Sequence, residues 1–360
     1  MVVRDRGRRD EQRALVEAMA ADLRAQAAML GTRRLVSVFL GGGTPSLMDP
    51  ACVAELVALA RSLWLAAPGD PPVEVSLEAN PTDAEASRFA ALAAAGVDRL
   101  SLGVQALDDA ALRFLGRLHS AGEGRAALAV AARTFPRVSL DLIYARPGQT
   151  AAAWAAELRE AVDLGAEHVS PYQLTVEPGT PFDRAVRRGG WRPADPDLAA
   201  DLYETTQAVL EGAGFEAYEV SNHARGVAAR SRHNLLYWTG EDYVGAGPGA
   251  HGRLTSAGVR LATAAEPRVA DYVRRVAETG VGHPAPERLT PREAAEERLL
   301  MGLRTLEGAP LDALAPLALA PARLDDLAGL GLLRLEDGRL RATAAGRPVL
   351  DRLTAELLGG

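Results

Sequence analysis

Along this chain the spacing of apolar positions changes period repeatedly, and the changes mark elements. Residues 10–30 carry Leu and Ala at helical spacing. Residues 35–40 are a short apolar run that breaks into Gly41-Gly42-Gly43, which predicts a buried strand ending in a loop. Residues 50–64 are helical again and residues 73–78 are strand-like. Asn80-Pro81-Thr82-Asp83 then starts a helix through residue 95, with Thr82 or Asp83 as N-cap and Gly96 as the glycine that ends it. Strands follow at 100–104, 138–143 and 168–174, with helical segments up to residue 133 and over 151–164. Strand and helix alternate with short loops, the signature of βα units and a parallel sheet. The strand runs read as largely apolar, as strands covered on both faces should.

From Asp195 the texture changes. A helix over 198–212 leads to 215–220 and then to a loop rich in Asn, His and Gly through residue 252. Residues 284–286 look like a linker. Thr290 is an N-cap for a helix over 291–306, because proline is tolerated at the first helical position. Two short helices follow, then 332–342 with Asp337-Gly338 as a hairpin turn and a last helix over 345–358. The expected division is a partial βα barrel over residues 1–194, an α+β extension over 195–284 and a winged-helix-like domain over 285–360. A barrel fits better than an open doubly wound sheet because of where the polar residues fall. Residues 41–44, Glu78, Gln105, Tyr172 and Gln173 lie at the C-terminal ends of predicted strands, and Asp141 lies within one. That end carries the site in barrels of this kind.

Composition narrows the chemistry. All 40 basic residues are Arg, so lysine-based phosphate loops and Schiff bases are excluded. The net charge of −7 argues against a dedicated nucleic-acid binder, and residues 287–360 mix Arg with at least as many acids. No apolar run reaches the roughly 18–20 residues of a membrane span. Residues 1–13 are charged, without the apolar centre of a signal peptide, so a cytoplasmic protein is expected. Cys52 is the only cysteine. It can form neither an intramolecular disulfide nor a cysteine metal cage within one chain, and in its helical stretch it reads as a small buried residue.

Several groups could carry chemistry. Gly41-Gly42-Gly43-Thr44 lets a ligand approach free backbone N–H groups, with Thr44 adding a hydroxyl. Glu78 could accept hydrogen bonds from a ribose or an ammonium group, or simply cap a helix. Gln105 could read an adenine or carboxylate edge. Arg117 could clamp a carboxylate or form a surface ion pair. Asp141 is an acid inside a strand and needs a partner.

The strings GGGTPSL, EANPTD, SLGVQALDD, GRLH, LDLIYARPGQT and YQLTVEPGTPF occur in this order. Together they resemble the body of the HemN/HemW branch of radical S-adenosylmethionine proteins, over essentially the whole chain. The resemblance implies an α/β fold: a partial (β/α)6 barrel lacking its first strand, then an α+β region and a winged-helix-like domain. It implies that Gly42, Gly43, Thr44 and Glu78 contact S-adenosylmethionine. Gln105, Arg117 and Asp141 match positions that contact adenosylmethionine, including a second molecule, in coproporphyrinogen oxidase relatives. Arg232-His233-Asn234-Leu235-Leu236-Tyr237-Trp238 matches the His-Asn-x-x-Tyr-Trp motif of HemW-like chaperones, which the oxidases lack. It implies heme, with His233 on the iron and Tyr237 and Trp238 against the macrocycle. His223 and His251 are rival ligands. The expectation is a heme chaperone that passes heme to an acceptor protein; the alternative is an oxygen-independent coproporphyrinogen III oxidase. Family members also open with a strand and a Cys-x-x-x-Cys-x-x-Cys loop for a [4Fe–4S] cluster. This sequence has no such loop, so no cluster is expected on the chain as written, and a start assigned too late is the preferred explanation.

Overall fold

The computed structural model describes residues 2–65, 67 and 69–359. In chain order it begins with α1 (Val2–Leu30), β1 (Ser37–Leu40), α2 (Pro50–Leu63), β2 (Glu74–Ala79), α3 (Ala86–Ala94) and β3 (Arg99–Gln105). It continues with α4 (Asp109–Phe114), α5 (Ala121–Thr134), β4 (Arg137–Tyr144), α6 (Ala151–Asp163), β5 (His168–Gln173), α7 (Pro181–Arg187) and α8 (Pro196–Gly212). Then come β6 (Glu216–Glu219), β7 (Asn222–Ala224), α9 (Arg232–Trp238), β8 (His251–Ser256), β9 (Val259–Ala264) and α10 (Val269–Thr279). The last elements are β10 (Glu287–Arg288), α11 (Pro291–Gly302), β11 (Ala309–Pro310), α12 (Pro321–Gly329), β12 (Leu333–Glu336), β13 (Arg339–Ala342) and α13 (Leu350–Leu358). No helix among the described residues is long and apolar enough to cross a membrane.

The main sheet has seven strands in the order β1-β2-β3-β4-β5-β7-β6. Strands β2 to β5 are parallel neighbours in chain order, joined by helices, as the expected partial βα barrel requires. Strands β7 and β6 then close the order antiparallel. Backbone packing divides the chain into two compact units: Met1–Phe39, Met48–Val75 and Arg232–Gly360 in one, Leu40–Leu47 and Ser76–Ser231 in the other.

The helix caps explain why the connections are short. Asp108, Ser120 and Thr150 each accept a bond from a first-turn N–H of α4, α5 and α6. The expected helix start at residues 80–83 is a 3-10 turn instead. Asn80 and Asp83 form a capping box around Pro81–Asp83, and α3 begins only at Ala86. Gly96 does follow the end of α3, at a φ of 99°.

The strand interior corrects the apolar reading. Leu77, Leu100, Leu102, Val104, Leu140 and Leu142 are fully buried and alternate with Glu78, Ser101, Ser139 and Asp141. One face of the sheet is therefore apolar and packs on Phe89, Leu92, Leu128, Trp154 and Leu158; the other is lined with polar groups. At the strand starts most of those groups pair with one another, although His168 Nδ1 is buried without a partner among the described residues. The guanidinium of Arg99, only 2% exposed, donates to Ser139 Oγ at 3.2 Å and to the carbonyls of Ala229 and Arg230 at 3.0 and 3.1 Å. His168 Nε2 meets the Tyr218 hydroxyl at 2.7 Å, and Ser170 donates to Asn222 Oδ1 at 2.8 Å. Burial, then the charge of Arg99, hold the His168 imidazole neutral, well below its usual range.

Elsewhere, strands β10-β9-β8 form a three-stranded antiparallel sheet. The stretch read as a loop through residue 252 contains β7 and α9. Tyr272 of α10 donates to Asp22 of α1 at 2.8 Å and accepts from the Gly247 N–H at 3.0 Å. The C-terminal elements have the winged-helix-like order expected, with a sheet β11-β13-β12. The hairpin turns at Asp337 and Gly338, both at positive φ. Helix α11 stops at Gly302, short of residue 306, and Ala309 of β11 passes too close to Gly302 to leave room for a side chain there.

Arg99→Met should be costly, because it strips three acceptors of a charged donor inside the sheet. Urea unfolding should show a loss of about 3–5 kcal/mol. A loss below about 1 kcal/mol would mean that the 229–230 segment is not held this way.

Candidate functional site

The loop after β1 places Gly42 and Gly43 at φ of 79° and 65°, with open space where their side chains would be. Only glycine takes two such conformations in succession without strain. Gly42 donates its N–H to Glu78 Oε2 at 3.0 Å, across from β2 to the glycine loop. Thr44 is half-buried and starts the turn that leads into the 3-10 segment Pro45–Leu47. Register places Glu78 beside Ser101, and Ser101 donates to Asp141 Oδ2 at 3.0 Å. The other oxygen of Asp141 is buried and unpartnered. Burial, with the charge of Glu78 adding to it and the bond from Ser101 opposing it, pushes the Asp141 carboxyl up to about 7. Gly42, Glu78 and Asp141 thus form one acidic neighbourhood at the loop end of the strands.

Gln105 ends β3 in a strained conformation. Its φ is 72°, and the Ala106 N–H bonds back to the Val104 carbonyl at 2.9 Å, a γ-turn of the rare positive-φ kind. The turn folds the Gln105 amide back over Gly103. A side chain at Gly103 would stand 2.8 Å from that amide nitrogen and 3.8 Å from Asn80 Oδ1. Glu157 of α6 helps to hold the turn. One of its oxygens accepts the Leu107 N–H at 2.8 Å, and the other pairs with buried Arg146 after β4. The sequence reading missed Glu157 and Arg146; an arginine beside proline and glycine in a tight strand-to-helix turn was the available signal.

Arg117 lies on the turn between α4 and α5, apart from that hydrogen-bonded set. It forms no ion pair among the described residues, which removes the surface ion-pair alternative, and burial lowers its pKa. Cys52 sits half-buried in α2. Burial, then the nearby Asp49, raise its thiol pKa, which makes it a poor thiolate.

The second set of residues lies on and around α9. The His233 ring stacks on Phe39, with centroids 4.2 Å apart and planes 12° from parallel. Its backbone N–H donates to Glu74 at 3.2 Å, and neither ring nitrogen is hydrogen-bonded among the described residues. Burial drives its pKa down to about 4 against the opposing charge of Glu74, so the imidazole is neutral at pH 7. Tyr237 lies edge-on to Trp238 at 5.0 Å and tilted against Tyr243 at 5.4 Å. The Arg304 guanidinium covers the Trp238 ring at 4.5 Å. Phe39 and Arg304 were not anticipated. Of the rival histidines, His223 is buried in β7 with Nε2 3.3 Å from Gln207, and His251 is exposed at the start of β8.

Residues 7–161 match the radical SAM superfamily, and residues 289–349 match the HemN C-terminal domain. A mitochondrial protein of Bos taurus, radical S-adenosyl methionine domain-containing protein 1, is 42% identical over 97% of this chain and 81% of its own length. The heme chaperone HemW of Mycobacterium tuberculosis is 38% identical over 95% of this chain and 85% of its own length. The solved coproporphyrinogen III oxidase HemN of Escherichia coli superposes with a TM-score of 0.77. It covers 97% of this chain and 84% of that one, and its 21% identity makes the likeness one of fold. Identity at this level over nearly the full length places the chain in the radical S-adenosylmethionine family that includes the heme chaperone HemW.

Proposed function

We propose that this protein is a heme-binding chaperone that carries heme for delivery to an acceptor protein, with a separate pocket for S-adenosylmethionine. The observation that carries the heme reading is the state of His233. It is a neutral imidazole stacked on Phe39, with neither ring nitrogen hydrogen-bonded among the described residues. A neutral imidazole is the form that ligates iron. Tyr237, Trp238 and Tyr243 offer adjoining aromatic surface for a macrocycle. Relatives at 32–38% identity that carry the name heme chaperone HemW support the same reading.

The adenosyl reading rests on the acidic neighbourhood of Gly42, Glu78 and Asp141. The open glycine loop can accept a ligand backbone, Glu78 can take an ammonium group, and Asp141 can face a sulfonium charge. Gly43, Thr44, Gln105 and Arg117 are the further groups proposed to touch this ligand. Bound there, adenosylmethionine supplies a sulfonium-activated adenosyl group. A [4Fe–4S] cluster does not fit these residues. It needs several thiolates, and the sole cysteine is half-buried with a raised pKa. The oxidase alternative rests on a likeness of fold alone.

Heme titration tests the first reading. His233→Ala should shift the Soret band and weaken binding at least about tenfold. Because the His233 pKa is about 4, affinity should stay level from about pH 8 to about pH 5.5 and fall only below that. A midpoint near 6.5, or an unchanged spectrum in His233→Ala, would count against His233 as the ligand.

Asp141 tests the second. A cationic ligand favours the ionised carboxylate, so adenosylmethionine affinity should rise about tenfold between pH 6 and pH 8 in the wild type and stay flatter in Asp141→Asn. The ligand-free protein gives an independent check. Folding raises this acid from about 3.9 to about 7, so stability is lost as pH rises through 7. Asp141→Asn should melt higher than wild type at pH 8 and alike near pH 4. Equal melting at both pH values would remove the buried-acid argument.

A further inference from the structure

The aromatic stretch of α9 ends against an arginine that has no ion-pair partner among the described residues. Helix α9 closes on a Schellman motif: Glu241 N–H bonds to the Leu236 carbonyl at 3.1 Å and Gly240 N–H to the Tyr237 carbonyl at 3.0 Å. Gly240 takes φ 70°. Its missing side chain is filled by Arg298 of α11, whose Nη1 lies 2.4 Å from where a Cβ would stand. Nη1 is buried without a partner, and Arg298 makes no hydrogen bond or ion pair among the described residues.

Neighbouring charges compensate it only in part. Glu241 and Asp312 act on Arg298 only beyond ion-pair distance, while Arg260 and Arg339 add positive charge. Those two arginines are themselves engaged, Arg260 with Asp242 at 2.6 Å and Arg339 with the Glu307 and Gly308 carbonyls at 2.6 and 2.7 Å. A half-buried guanidinium left unpaired is costly, and an incoming anion removes that cost. The planar fork of arginine suits a carboxylate. Two residues before Gly240 stands Trp238, already capped by Arg304.

We infer that Arg298 is a carboxylate-binding residue that anchors a propionate of the porphyrin lying on Tyr237 and Trp238. This inference rests on the heme reading and adds to it a second point of attachment, chemically distinct from the iron. It gives the site a way to tell a porphyrin acid from its neutral ester. Gly240 is then a positioning residue, since any side chain there displaces the guanidinium.

The test compares iron protoporphyrin IX with its dimethyl ester on the full chain. Wild type should bind the acid about 10- to 100-fold more tightly than the ester, the range of a charge-assisted pair. Arg298→Gln should bind both alike, near the ester's affinity, and Arg298→Lys should recover part of the preference. Three results overturn the inference: wild type that does not discriminate, Arg298→Gln that keeps the full preference, or both variants losing acid and ester equally. Wild type that binds neither porphyrin overturns the heme reading itself, and this inference falls with it.

Discussion

A sheet covered on both faces, with one face lined by polar side chains, must satisfy those groups without water or leave them for a ligand. That constraint sorts the residues of β2 to β5 by position along the strand. At the strand starts Arg99, Ser139, His168 and Ser170 are closed off by one another and by the segments at 218–222 and 229–230. Toward the strand ends the pairing runs out. Asp141 keeps an unpartnered oxygen and Gln105 sits in a strained turn. Beyond them, the turn after α4 carries Arg117 without an ion pair. The strand starts are largely paired, with His168 Nδ1 the buried exception among the described residues, and the buried acid together with the strained turn marks the strand ends as the candidate site.

The same contrast separates structural from receptive groups around α9. Asp22, Gln26 and Tyr272 form a buried polar set in which the Gly245 carbonyl and Gly247 N–H are paired. That set fixes the glycine-rich turn and leaves it little to offer a ligand. His233 and Arg298 differ in kind. Each is partly withdrawn from water, each has its ionisation biased toward the neutral form by burial, and neither side chain has a hydrogen-bond or ion-pair partner among the described residues. Desolvation without compensation is tolerated where binding supplies the missing contact.

Much of this was legible in the sequence, and the misses have physical causes. The βα alternation, the glycine after α3 and the Asp337-Gly338 turn are local signals, set by periodicity and by φ requirements within a few residues. The polar sheet face was misread because serine is small and sits between leucines, so SLSL-like runs look apolar by bulk. Helix α9 was read as loop because its seven residues are too few to show an apolar period, and His and Asn near its start are weak helix formers. The Phe39 stack and the Glu157 clamp join residues far apart in the chain, and no local pattern announces either. Arg298 lies in the run PREAAEERLLMG, where an arginine among glutamates reads as a solvated face. Only the packing reveals that its guanidinium rests against Gly240.

The chemistry available to the chain follows from which charges burial permits. A thiol raised by burial, as at Cys52, is held away from the thiolate that iron would require. An imidazole lowered by burial, as at His233, is held in the form that iron does accept. A carboxyl near neutrality, as at Asp141, can answer a nearby cation by ionising, and an unpaired guanidinium can answer only an anion. Desolvation is the common cause of all four, yet it disables the first group and prepares the other three. On the reading proposed above, these residues hold ligands of defined charge. That is a property of binding, and it can be measured on the chain as it stands.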